Sequence, residues 1–356
     1  MKPGQLPKQF SVAVVGATGA VGRAVLSILE QRGFPIHTLR LFASPKSAGH
    51  RIVFNSKNHV VEALTSETDF SGLDYIFFTA GSAVSQTHVP RAAAAGGLVI
   101  DNASIFRMRD DVPLVIPEVN AEALELARKN RIVANPNCTT AQHVVALKPL
   151  HDAFSLKRVA VSSYQAVSGR GQQGVEEFKR QIAQFASGKQ PTAQTFPHVI
   201  AFNCLPHIDS FRESGFTGEE VKVMQETRKI LGLPNLRIHA TCVRVPVVNG
   251  HSESIAIETE KEISIADARA VLEKMPGLSL VDDPSKNIYP LATNATGRDE
   301  VLVGRLRLDP SLASNPLDEN PKHSHGLLLW VVGDNLRKGA ALNAVQIAEA
   351  AAQRGI

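Results

Sequence analysis

A lone thiol in the stretch Asn135-Pro136-Asn137-Cys138-Thr139-Thr140 is the group in this chain best placed to act as a nucleophile. Ile132-Val133-Ala134 before it reads as the end of a buried strand. Ala141-Gln142-His143-Val144-Val145-Ala146-Leu147 after it reads as a helix that runs to Pro149. A cysteine on such a strand-to-helix turn meets unsatisfied backbone N–H groups and the positive end of the helix dipole. That setting lowers a thiol's pKa and supplies thiolate, the nucleophilic form, near neutral pH. The plain alternative is a small buried hydrophobe.

A cation and an imidazole follow in the second half. Asn249-Gly250 is a strong two-residue hairpin signal, so Val248 is expected to face His251, with Arg244 on the same side of the sheet as Val248. Arg244 and His251 then stand roughly 13 Å apart along a strand, a gap suited to a small anionic or zwitterionic substrate. The guanidinium would hold a carboxylate while the imidazole approached the reacting carbon. Pro246 argues for an edge or a bulge that shifts this register, and taken alone both residues read more readily as structural than as functional. Thr217-Gly218-Glu219-Glu220 is a capping box that explains Glu220 without any function. Lys222 is off the face of Glu220 and can pair with Glu226 at i+4. Arg107, in the polar run Ile105-Phe106-Arg107-Met108-Arg109-Asp110-Asp111, reads as a solvated loop arginine.

The elements that must position these groups fall into two textures. Ser11-Val12-Ala13-Val14-Val15 is a short apolar strand that enters Gly16-Ala17-Thr18-Gly19-Ala20-Val21-Gly22 and then a helical pattern. A glycine turn there lets backbone N–H groups approach a pyrophosphate at the helix N-terminus, although GxxGxxG is less specific than GxGxxG. The second strand, Thr38 to Ala43, ends in Ser44-Pro45-Lys46-Ser47. An NAD site usually places there an acid that binds the ribose 2′-hydroxyl; two hydroxyls and a cation favour the 2′-phosphate of NADP. A solvated Lys46 is the alternative. Asp74 to Ala80 is a strand that ends in Gly81 and Ser82, small enough for a flat ring to lie close to backbone. With further strands at Leu98-Val99-Ile100-Asp101-Asn102 and Ile132 to Ala134, the first ~135 residues form a doubly wound parallel sheet. After Cys138, Val159 to Val167 is a strand that leads into a mobile glycine loop, Ser168-Gly169-Arg170-Gly171. β-rich runs follow at Leu236 to Val248, Ser252 to Lys261 and Leu327 to Val332, which suits an α+β domain with an antiparallel or mixed sheet and helices on one side. The last helix, Ala340 to Gln353, is expected to return to the first domain.

Length and composition bound the rest. A chain of 356 residues with 44% hydrophobic and 20% charged residues fits a two-domain globular protein. The net charge of +4 comes from scattered lysines and arginines, and aromatics are 5%, so a nucleic-acid partner is not expected. No apolar run is long enough to cross a bilayer, and the polar, proline-containing start from Met1 to Gln9 is no signal peptide. Three dispersed cysteines, Cys138, Cys204 and Cys242, make neither a disulfide framework nor a zinc site. A cytoplasmic enzyme without metal is the expectation.

The glycine turn at Gly16–Gly22, Asn135 to Thr140, Tyr164-Gln165-Ala166-Val167-Ser168-Gly169, Cys242-Val243-Arg244-Val245-Pro246-Val247 and Gly250-His251-Ser252-Glu253 occur in that order over nearly the whole chain. In this the chain resembles the bacterial aspartate-β-semialdehyde dehydrogenases. The resemblance implies a Rossmann-type NADP-binding domain, residues 1–137 completed by 336–356, and a catalytic and dimerisation domain, 138–335. It also implies NADPH-dependent reductive dephosphorylation of aspartyl phosphate to aspartate semialdehyde, a reversible step towards lysine, methionine and threonine, in a homodimer or a dimer of dimers. Carried over by resemblance, Cys138 is the nucleophile, His251 the acid/base and Gln165 the group that orients the intermediate. Arg244 and Glu220 hold the α-carboxylate and α-amino groups, and Arg107, Lys222 and Asn137 form the phosphate site. Gly16, Thr18, Gly19, Ala20, Val21, Ser44, Lys46, Ser47, Gly81, Ser82, Ser168, Gly169 and Asn343 face the cofactor, Asn343 at the nicotinamide. Between Glu219 and Glu220 the offset from Lys222 favours Glu220. Thr139 and Arg170 depart from the common pattern, where serine and a small residue are usual. N-acetyl-glutamyl-phosphate reductases share the chemistry but usually carry glycine before the cysteine and tyrosine after it, where this chain has Asn137 and Thr139. A catalytically silent NADP-binding relative would have no reason to hold Cys138, Arg244 and His251 together.

Overall fold

The computed structural model describes residues 9–356; the polar opening stretch from Met1 to Lys8 lies outside them. The chain divides into two compact units, one that runs to Asn137 and resumes over Ala340–Ile356, the other Cys138–Gly339.

In the first unit β1 (Phe10–Val15) leads through the glycine turn into α1 (Ala20–Gln31), followed by β2 (Ile36–Ala43), β3 (Arg51–Phe54) and β4 (Lys57–Ala63). Next come β5 (Tyr75–Phe78), α2 (Ser82–Ala94), β6 (Leu98–Asp101), the short α3 (Pro117–Asn120) and α4 (Ala127–Asn130), and β7 (Ile132–Ala134). The sheet order is β3-β4-β2-β1-β5-β6-β7, all parallel except the β3–β4 pair. Strands β1, β5, β6 and β7 are buried along their whole length, as expected of a parallel sheet covered on both faces. The β3–β4 hairpin, absent from the sequence reading, turns at Asn55 and Ser56, both with positive φ. The order reverses beside β1, with β2 on one side and β5 on the other, so the crevice beyond their carboxyl ends is the expected ligand position of such a sheet.

The second unit starts with α5 (Cys138–Phe154), then β8 (Leu156–Gln165), α6 (Gln172–Ala186), α7 (Gly218–Leu231), β9 (Arg237–Arg244) and β10 (His251–Ile263). It continues through α8 (Ile265–Leu272), β11 (Leu278–Leu280), the short α9 (Ala292–Ala295), β12 (Val301–Leu308) and β13 (Ser324–Gly333). Its sheet order is β11-β12-β13-β10-β8-β9. The sheet is mixed: β8–β9 and β11–β12 are parallel and the remaining pairs antiparallel. Alternate residues of β8 and β10 are buried, so one face of the sheet is the covered one. Helix α5 does not stop at Pro149 as expected but carries it inside and continues to Phe154. The loop Ser168-Gly169-Arg170-Gly171, read as mobile, is formed by the 3-10 turn Val167–Arg170 and its cap Gly171, which leads into α6.

The chain then re-enters the first unit as α10 (Leu342–Gln353), whose apolar residues share one core cluster with those of β1, β5 and β6. The division falls after Gly339, four residues beyond the expected boundary at Asn335.

Candidate active site

The expected hairpin between β9 and β10 is not formed. Strand β8 lies between them, pairing in parallel with β9 (Gln165 opposite Arg244) and antiparallel with β10 (Tyr164 opposite Ser252). Arg244 closes β9, Gln165 closes β8 and His251 opens β10, so the three stand abreast at one edge of three adjacent strands. The ~13 Å separation along one strand is therefore replaced by a convergence across strands spaced ~4.8 Å apart. The point of convergence is Gly169. A Cβ there would lie 2.6 Å from Arg244 Nη1 and 3.3 Å from His251 Nε2, so only glycine leaves room for both.

One peptide fixes both side chains. The Ala166 N–H donates to His251 Nδ1 at 3.1 Å, and the Ala166 carbonyl accepts from Arg244 Nη1 at 2.7 Å. Since Nδ1 is an acceptor, the neutral ring carries its hydrogen on Nε2. Nε2 is 3.3 Å from Cys138 Sγ. The imidazole is fully buried, and burial, followed by the charge of Arg244, holds its pKa well below the usual histidine value. The site therefore pairs sulfur with a neutral N–H donor, an arrangement that favours thiolate as the acceptor. Cys138 heads α5 and is partly exposed, whereas Thr139 to Leu147 behind it are buried. Gly339 approaches the cysteine closely: a Cβ on it would sit 2.9 Å from that of Cys138. Cys242, by contrast, is buried and its pKa is pushed far up by that burial, so it is inert.

The two candidate acids are held in different ways. Glu220 closes the capping box, Oε2 accepting the Thr217 N–H at 2.7 Å, while Oε1 accepts the Cys242 N–H at 3.0 Å. Both oxygens are held by backbone. Glu219 instead accepts from Gln165 Nε2 at 3.3 Å and lies 3.4 Å from Lys222 Nζ, and its charge acts on Arg244. The i, i+3 spacing to Lys222 is the sequence signal of that pairing. Lys222 also pairs with Asp209 at 2.6 Å. Asn335, which no sequence pattern singled out, receives the Gly250 N–H on Oδ1 at 2.9 Å and donates to Ser168 Oγ at 2.9 Å. It thereby ties the residues that precede His251 and Gly169.

In the first unit Arg107 is not a solvated arginine. It is 7% exposed, with Nε donating to the Asn135 carbonyl at 2.9 Å and Nη2 to that of Asn102 at 2.7 Å. Asn137 is buried at the end of the same segment. Asn343 is fully buried, its amide donating to Val115 O and Asn135 Oδ1, which links α10 to the residues before Cys138.

The glycine turn fits a dinucleotide. Gly16 has φ +87°, and a Cβ on it would lie 2.7 Å from Thr79 Oγ1. Gly19 caps α1 with no side-chain hydrogen bond, which leaves the first-turn N–H groups of Ala20 and Val21 for a ligand. Thr18 is half-buried beside them. Gly81 has φ +89° at the start of α2, followed by exposed Ser82. The 3-10 turn Pro45–Ser47 after β2 presents Ser44 and Lys46 exposed and Ser47 half-buried, with no carboxylate. Among the described residues, no group of three His, Cys, Asp or Glu could hold a metal, and no helix is long and apolar enough to cross a membrane.

Two family models match: residues 11–127 the NAD binding domain of semialdehyde dehydrogenase, residues 147–338 its dimerisation domain. An aspartate-semialdehyde dehydrogenase of Aquifex aeolicus is 51% identical over 98% of this chain and 99% of its own. The crystal structure of aspartate semialdehyde dehydrogenase II from Vibrio cholerae, solved also as a complex with ASA, has a TM-score of 0.92 at 44% identity, covering 98% of this chain and 100% of its own. An NADP-bound aspartate semialdehyde dehydrogenase from Candida albicans, at 24% identity and a TM-score of 0.74 over 98% and 100% of the two chains, shares the fold.

Proposed function

The chain belongs to the aspartate-semialdehyde dehydrogenase family, and from that premise we propose that it reduces L-aspartyl-4-phosphate to L-aspartate 4-semialdehyde, reversibly, through a thioester on Cys138. The observation that carries the mechanism is the 3.3 Å approach of His251 Nε2 to Cys138 Sγ.

The sulfur, held as thiolate by the Nε2–H and by the N–H groups at the start of α5, attacks the acyl carbon. The carbon–oxygen bond to phosphate breaks, phosphate departs, and a thioester remains. NADPH, when bound, supplies a hydride to the thioester carbonyl carbon. The Nε2–H of His251 donates a hydrogen bond to the developing oxyanion, which collapses as the carbon–sulfur bond breaks, releasing aldehyde and thiolate. A backbone N–H aimed at that oxygen contributes roughly 3–4 kcal/mol. A thiol suits the task because a thioester exchanges readily with phosphate, whereas an oxygen ester would be a trap. We assign the substrate α-carboxylate to Arg244, the α-ammonium to Glu219, phosphate to Lys222, and orientation of the acyl group to Gln165. Ser44, Lys46 and Ser47, where NAD sites carry an acid, favour NADP. The second unit is the family's dimerisation domain, and we read the working form as a cytoplasmic homodimer; sedimentation equilibrium separates it from a dimer of dimers.

The test is phosphate-dependent oxidation of aspartate semialdehyde, assayed beside N-acetylglutamate semialdehyde. Cys138→Ala is expected to retain the fold and lose all measurable turnover. Full activity in that variant would remove the mechanism, and a preference for the acetylated substrate would remove the substrate assignment.

A further inference from the structure

A second histidine stands little more than one turn past Cys138 on α5, and the reaction proposed above does not use it. His143 is fully buried, as are its two partners, Glu253 and Thr227. Its Nδ1 lies 2.9 Å from Glu253 Oε2 and its Nε2 lies 2.7 Å from Thr227 Oγ1. The Thr227 hydroxyl spends its single hydrogen on the Val223 carbonyl at 2.6 Å. Towards His143 that hydroxyl is an acceptor, and a carboxylate is an acceptor as well. With Glu253 ionised, both ring nitrogens donate, and His143 then carries a proton on each and pairs as a cation with the carboxylate. The other carboxylate oxygen accepts from Gln142 Nε2 at 2.5 Å, and the same amide donates to the His251 carbonyl at 3.2 Å.

The group ties together the three elements that carry the chemistry. Gln142 and His143 belong to α5, which Cys138 heads. Glu253 lies two residues after His251 on β10 and on the same face. Thr227 belongs to α7, whose first five residues include Glu219, Glu220 and Lys222. A buried ion pair is a poor device for stability alone, since apolar side chains of similar volume often serve as well or better. It is a good device for register, because either charge without the other in a dry interior is costly. Helix α5 cannot slide along β10 without separating the pair, and such a slide is what would open the distance between Sγ and Nε2.

We propose that His143, Glu253 and Gln142 are positioning residues: a buried cation–carboxylate clasp that holds α5 against β10 and so sets the spacing of the nucleophile and the imidazole. The inference rests on the roles given above to Cys138 and His251.

The decisive variant removes both charges together, His143→Met with Glu253→Leu, and is compared with wild type by thermal melting, steady-state kinetics and the rate of Cys138 alkylation by iodoacetamide. The double variant is expected to melt within a few degrees of wild type. Its kcat should fall roughly 10- to 100-fold at nearly unchanged KM, the pattern of lost alignment, and alkylation should slow in parallel. Wild-type kcat and alkylation in a folded double variant would overturn the clasp. Should that variant not fold, Thr227→Val, which removes the acceptor of Nε2 together with the hydroxyl's bond to the Val223 carbonyl, decides on the same readings. Nitrogen-15 spectra of histidine-labelled protein give a separate reading: two protonated ring nitrogens on His143 support the clasp, and a neutral tautomer overturns it. Retained activity in Cys138→Ala is a different result, which would remove the mechanism and leave the protonation of His143 standing.

Discussion

His251 meets two influences that act in the same direction: burial and the Arg244 guanidinium both penalise its imidazolium. The unfolded chain takes up that proton near pH ~6.5, whereas the native ring refuses it until the pH is far lower. The linked stability is thus fully present above about pH 6.5 and is lost as the pH falls below it towards the depressed native value. The kinetic counterpart is a kcat/KM profile with no histidine break near pH ~6.5; a break there, measured over the mildly acid range, would mean a solvated ring. Asp101 has the opposite sign. Its Oδ1 accepts from Ser85 and from the Ala103 N–H, its Oδ2 has no hydrogen-bond partner, and burial raises its pKa to about 6 against the pull of those bonds and of Arg107. The native state holds this proton at pH values where the unfolded chain has released it, so stability falls as the pH rises through the window between ~4 and 6. Asp101→Asn is expected to stabilise the protein by about 1–3 kcal/mol at neutral pH and to give nothing near pH ~4. Urea melts at the two pH values check this.

At the scale of elements, the first turn of α7 divides two adjacent carboxylates between different tasks. Glu220→Ala removes the capping box and the acceptor of the Cys242 N–H, and is expected to cost about 1–3 kcal/mol in denaturant melts with KM little changed. Glu219→Gln leaves the cap intact and is expected to raise KM roughly tenfold or more with an unaltered melting temperature. What the sequence made legible were the features decided by near neighbours: the glycine turn after β1, the thiol at the head of α5, the capping box at Thr217. What it hid was decided by distant strands. Asn249-Gly250 signals a turn correctly as a local matter, yet no local signal says that β8 will take the place between β9 and β10. Arg107 looked solvated because its carbonyl partner on Asn135 lies 28 residues away. Glu219 and Glu220 are one residue apart, and a one-residue step on a helix turns a side chain to another face; the pairing with Lys222, not the cap, distinguishes them.

At the scale of the molecule, the second unit is one uninterrupted stretch, whereas the first is assembled from two pieces that meet through α10. Ala341 to Ala352 contribute a run of buried apolar residues to the core behind β1 and β5. Ending the chain after Gly339 removes them, and the truncated protein is expected to lose NADPH binding, read by fluorescence titration, while near-native signals of the second unit persist. Normal nucleotide affinity in the truncated chain would contradict the role of α10. Synthesis runs in one direction, and domains generally fold as units when their residues have emerged. Here the part made first must wait for the last codons, while the part made second is complete before them. A message cut short near its end would release a subunit that keeps its dimerisation domain yet cannot hold its own nucleotide.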